Sequence, residues 1–68
     1  MNYNFLKGKI VEKCGSQVKF AELLGITPQE LTKKLSNKAS FTQSQMFKSK
    51  EILGLNDNEV VKAFLMSN

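Results

Sequence analysis

Apolar residues recur at helical spacing along most of the chain, and glycines interrupt that spacing. From about Asn4 to Cys14, Leu6, Ile10 and Cys14 stand four residues apart, with Phe5 and Val11 flanking them and Lys7, Lys9 and Lys13 off the stripe. That is the pattern of an amphipathic helix, and Gly15 ends it. Ser16 is a good N-cap for a second helix with Phe20, Leu23 and Leu24 on its apolar face and Ala21 between them. Gly25 stops it, as a left-handed residue past a helix end does. A helix of about eight residues needs tertiary support to persist.

Thr27-Pro28 predicts the start of a third helix, since proline at the first helical position has no amide to lose. Leu31 and Leu35 make a narrow apolar line, while Gln29, Lys33 and Ser36 fall on the opposite side with Asn37 close by. A fourth helix opens at Thr42, with Gln45 completing a capping box, and runs to Leu53 before Gly54. Its apolar positions are Met46, Ile52 and Leu53, with Phe47 beside them. Ser49 and Lys50 interrupt the inward face, so this helix is the least well patterned. A fifth, over about 57–66, is capped by Asn56 or Asp57, with Glu59 at the third position of the first option, and carries Val60, Val61, Phe64 and Leu65. No stretch alternates for long and β-branched residues are few. The expectation is one all-α domain of five short helices over residues 1–68.

Residues 16–38 carry the functional signal. Two short helices joined by a turn of three or four residues containing glycine form a helix-turn-helix unit. Ala21 is small where the second helix crosses the first, Gly25 takes the φ > 0 bend, and Phe20, Leu24, Ile26 and Leu31 seal the angle. Gln17, Phe20, Ala21, Leu24, Gly25, Ile26 and Leu31 stand at the spacing of the small repressors of the phage Cro/cI type, the XRE family, which the chain resembles over nearly its whole length. The stretch from Ser40-Phe41-Thr42 to Leu55 is similar to that family's fourth helix and its ending before glycine. Lys34 stands where the family often has an apolar residue, with Leu35 taking over that packing role. Ser49 and Lys50 replace what are usually Ile and Ala.

The resemblance implies a lambda-repressor-like fold whose third helix enters the major groove of double-stranded DNA. The base-reading candidates are then Gln29, Thr32 and Lys33, with Thr27 and Pro28 at the helix start. Gln pairs with adenine N6 and N7, Lys donates to guanine O6 or N7, and the Thr methyl touches thymine. The chain has no Arg, so the commonest bidentate guanine contact is missing and the site is not dominated by guanine reading. Glu30, beside this face, either accepts from cytosine N4 or repels phosphate. Backbone contacts fall to Ser16, Gln17 and Lys19 at the second helix, to Ser36, Asn37, Lys38 and Ser40 after the third, and to Thr42. Each has a plainer reading: Lys33 and Lys34 as a solvated face, Gln17 and Gln29 as surface filler, Asn37 as a left-handed helix terminator.

The chain of 68 residues is 41% apolar and carries ten Lys against six acids, a net charge of +4. Residues 1–54 hold a balance of +5 and residues 55–68 one of −1, so the positive charge lies with the helix-turn-helix and its flanks. That distribution favours nucleic acid over a membrane surface. One Cys and no His exclude an internal disulfide and a structural zinc site, and remove the common acid–base and nucleophile pairs. No catalytic role, metal, cofactor or small-molecule ligand is expected. No apolar run approaches the roughly 18 residues of a membrane span, and the first residues lack a signal-peptide layout. A cytoplasmic protein bound to DNA in a bacterial host, with Cys14 reduced and packed as a small apolar residue, is the expectation.

So small a domain makes few base contacts, which favours a homodimer on a palindromic operator with half-sites about one helical turn apart. Val61, Phe64, Leu65 and Met66 on the last helix are the candidate dimer interface, with completion of the monomer core as the other reading of Phe64 and Met66. The alternative is a protein–protein module on the same scaffold, such as an antirepressor gripping another regulator.

Overall fold

Four of the helices open on the cap residues that the pattern marks, Ser16, Thr27, Thr42 and Asn56. In the computed structural model, which describes residues 2–65, α1 spans Asn4–Cys14, α2 Gln17–Leu24, α3 Pro28–Leu35 and α4 Gln43–Leu53. The last helix, α5, spans Asp57–Val60 and continues as a π-helical turn over Val61–Leu65. The Ser16 hydroxyl accepts from the Lys19 amide at 3.1 Å. Thr42 and Gln45 form a reciprocal capping box, and so do Asn56 and Glu59, which decides the cap of α5 for Asn56. Gly25 sits at φ +84, with the Ile26 amide donating to the Ala21 carbonyl and its own amide to that of Glu22, the double closure of a Schellman ending.

α1 lies against α2, α4 and the π-helical turn, and α2 against α3 and α4, while α3 docks chiefly on α2. The core is built from Leu6 and Ile10 of α1, Phe20, Ala21 and Leu24 of α2, Leu31 and Leu35 of α3, and Leu53 of α4. Phe41, in the loop after α3, stacks edge-on between Tyr3 (5.5 Å) and Phe64 (5.2 Å) and ties that loop to both ends of the chain. The radius of gyration is 10.6 Å, against about 11 Å for a compact chain of this length.

The structure corrects several sequence expectations. Phe64 is 5% exposed and is held in the core by Phe41, so it offers nothing to a second copy. Val61 and Leu65 do face solvent, and Met66 lies outside the described residues. Leu23, Val11 and Phe47 are exposed. On α2 the buried side closes around Phe20, Ala21 and Leu24, and Leu23 falls outside it. Ser49 is fully buried, yet helix packing holds because its hydroxyl donates to the Gln45 carbonyl one turn back at 2.7 Å. Lys50 turns outward and bonds Asp57 at 2.6 Å, joining the end of α4 to the start of α5.

Two predictions follow from these contacts. Ser49→Ala is expected to move stability by less than about 1 kcal/mol, because the Gln45 carbonyl keeps its helical amide partner. Ser49→Ile overpacks the site and loses roughly 1–3 kcal/mol. Urea unfolding of both variants checks this, and an Ile variant as stable as the parent contradicts it. The Lys50 ammonium, donating to Asp57, holds that carboxyl below its ordinary range. The Asn56 amide, and beyond it Lys9, does the same for Glu59 against the opposing effect of burial. Groups lowered in the folded state contribute stability at higher pH and lose it as pH falls through their folded values. The melting temperature is therefore flat from neutral pH to about 5 and declines below about 4. A melting temperature that rises on acidification contradicts it.

Candidate nucleic-acid interface

α3 is fastened by one edge. Leu31, Lys34 and Leu35 are its buried residues, at the i, i+3, i+4 spacing of one helix side, and the rest is exposed. Gln29, Thr32 and Lys33 all lie on the exposed surface, as do Thr27 and Pro28 at its start. Their hydrogen-bonding freedom differs. The Thr32 hydroxyl donates to the Pro28 carbonyl at 3.0 Å. The Ser36 hydroxyl donates to the Thr32 carbonyl at 2.8 Å. The Thr27 hydroxyl accepts from the Glu30 amide at 3.1 Å and donates to the Glu30 carboxylate at 3.3 Å. Of the base-reading candidates, then, Gln29 and Lys33 keep donors that no side chain among the described residues takes up, and Thr32 offers its methyl.

Glu30 is the carboxylate of the capping box that starts α3, with its oxygen toward the Thr27 amide at 3.5 Å. The Thr-x-x-Glu spacing at residues 27–30 is the signal also read at Thr42–Gln45, so this role was legible. It draws Glu30 back toward Thr27 at the helix start and lessens its availability for cytosine.

The flanking candidates divide in the same way. Ser16 and Thr42 accept from their own helix amides and keep the O–H hydrogen as a donor. Gln17 and Lys38 are exposed, and Lys19 is within 3.8 Å of Glu22. Asn37 sits at φ +65, and the Lys38 amide donates to the Lys33 carbonyl at 2.8 Å. Its backbone therefore does the work of a helix terminator, while the side chain remains on the surface beside Lys38.

Lys34 is the residue that sequence reasoning placed wrongly. Only 8% of it is exposed. Its Nζ donates to the Ser40 carbonyl at 2.7 Å and stands 5.8 Å from the centre of the Phe41 ring. Among the described residues no carboxylate pairs with it. A lysine stem packs like an apolar side chain, so Lys34 and Leu35 share the docking role. The ammonium ties the 36–41 loop to α3. The spacing from Leu31 was the available signal. Cys14, half-buried in the angle between α1 and α2, has its thiol pushed up by burial against the opposing charge of Lys19.

Residues 1–67 match a family model described as "Protein of unknown function (DUF739)", and the chain belongs to this family. No curated protein matches it. Among solved structures, the chain is similar to the modulator of repression (MOR) of the temperate bacteriophage TP901-1 from Lactococcus lactis, determined in solution. The two share 35% identity and superpose with a TM-score of 0.79 over 93% of this chain and 85% of the other. Among the described residues no helix is long and apolar enough to cross a membrane.

Lys34→Met keeps the packed stem and removes the ammonium. The Ala39 and Thr42 amides, bonded to the Lys33 carbonyl and the Gln45 side chain, are expected to exchange faster with solvent while α3 keeps its protection. Unchanged exchange at both positions contradicts the clamp.

Proposed function

We propose that this protein is a sequence-specific DNA-binding regulator without catalytic activity, a Cro-like phage repressor that takes palindromic operator DNA as a homodimer through the major groove. The observation that carries the reading is the face of α3, where Gln29 and Lys33 present free donors and Thr32 presents a methyl. Those groups suit the acceptors and thymine methyl of a major groove. On either side, Ser16, Gln17 and Lys19, and then Asn37, Lys38, Ser40 and Thr42, supply the phosphate-facing groups. Glycine and cap chemistry hold both helices at fixed ends, so these groups are presented from rigid elements. The likeness to a protein named as a modulator of repression in a temperate phage supports a role in phage gene control, inside the host cell.

A second reading has its own support. Val18 and Leu23 of α2 are exposed large apolar residues, an unusual pair on an element that only lines a phosphate backbone. Together with the name of the similar protein, they favour a protein-binding modulator that grips another regulator by the same two helices.

Gel shifts separate the two. Duplex DNA selected from a random library is expected to bind with an affinity that falls steeply with salt. Gln29→Ala and Lys33→Ala each lose about 1–3 kcal/mol and relax the selected sequence locally. Lys38→Gln lowers affinity evenly across sequences and reduces the salt slope by about 1. Full affinity in both α3 variants removes α3 as the reader. Absence of any binding at low salt, despite the net charge of +4, favours the protein-binding reading.

A further inference from the structure

Three cationic contacts fasten the last helix to the rest of the chain. Lys50 of α4 bonds Asp57 at 2.6 Å, and Lys9 of α1 stands 3.4 Å from Glu59. Lys62 lies 4.9 Å from the centre of the Phe5 ring. The α-helical part of this element is four residues long, and the five that follow wind as a π turn, a rare geometry found mostly as single turns. Ala63 and Phe64 are the buried residues of that turn. The 36–41 loop, in turn, has one large apolar side chain, Phe41. Its ring is 6% exposed and meets Phe64 at 5.2 Å and Tyr3 at 5.5 Å, both near the ends of the chain. The same loop carries Asn37, Lys38 and Ser40, the groups placed toward phosphate above.

We propose that the last helix is a strap that sets the order of the 36–41 loop: docked, it holds the polar groups of the loop in place, and released, it frees them. The route is a run of three contacts. Phe64 supports the Phe41 ring, that ring faces the Lys34 ammonium at 5.8 Å, and the ammonium donates to the Ser40 carbonyl at 2.7 Å. When the strap leaves, Phe41 loses one of its two aromatic neighbours. Water then reaches the Lys34 ammonium and competes for its bond to the loop. The fasteners decide what moves the strap. Elements with few buried side chains open before the core does, and surface ion pairs are screened by salt. α2 buries Phe20, Ala21 and Leu24 and stays closed through this opening. Linkage makes the coupling reciprocal: what orders the loop slows opening of the last helix, whose docked position stays the same.

The coupling is read in the absence of DNA and does not rest on the regulator reading. Amide hydrogen exchange of the full chain, followed by NMR, tests it. Asp57→Asn combined with Glu59→Gln removes both ion pairs and keeps a side-chain oxygen for the Asn56 cap. Exchange at the Val60 amide, and with it at the Ala39 and Thr42 amides, is expected to quicken about twofold or more, while the Gly25 amide at the end of α2 keeps its rate. Phe64→Leu leaves the turn apolar and removes the ring contact, and it quickens Ala39 and Thr42 about two- to tenfold. Added salt moves the parent chain in the same direction. Faster exchange at Val60 with Ala39 and Thr42 unchanged overturns the strap, and so does unchanged exchange at all three. Equal acceleration at Gly25 overturns it too, since the whole fold has then loosened together.

Discussion

Two eight-residue helices do not persist alone in water, so the candidate interface depends on how α2 and α3 are closed and joined. Isolated, each leaves orphan amides at its start and orphan carbonyls at its end. Here Ser16 and Thr27 take the amides, and the left-handed residues Gly25 and Asn37 turn the chain so that following amides return to the carbonyls. What remains is to bury one side, which Phe20, Ala21 and Leu24 do against Leu31 and Leu35. Because α3 is held by so narrow an edge, nearly all of its polar surface stays available.

That economy explains why a buried lysine is tolerated. α3 has too few apolar residues to seal its own edge, and the Lys34 stem completes it. The ammonium then has to be satisfied, and the Ser40 carbonyl and the Phe41 ring are the groups that meet it. Phe41 in turn leans on Tyr3 and Phe64. One contact thus links the exit of α3, the loop of polar candidates and the last helix. The cost is a cation largely out of water with no carboxylate beside it among the described residues, which the hydrogen bond to the Ser40 carbonyl and the Phe41 ring offset.

Helix positions and caps were legible because they rest on local chemistry: a Thr or Asn with Glu or Gln three residues on, and a glycine past the ends of α1, α2 and α4. Burial was less legible where two helices compete for the same side chain. Leu23 and Phe47 look like core by composition and are outside it, because short helices bury only the width their neighbours cover. Phe64 looked like surface surplus and is core, because Phe41 arrives from a loop whose path no periodicity records. At the candidate site, residue identities were readable, but which hydroxyls still had a hydrogen to give was not. Thr32 and Ser36 turn theirs onto the helix, which leaves Gln29 and Lys33 as the donors of that face.

The proposed surface for duplex DNA is the exposed side of α3, flanked by the starts of α2 and α4. Titrating isotope-labelled protein with duplex DNA at low salt and following each backbone amide by NMR tests it most directly. Shifts are expected to concentrate at residues 16–19, 27–38 and 40–43, with α1 and the last helix quiet. Shifts confined to α1 and the last helix, or none at all, would contradict it.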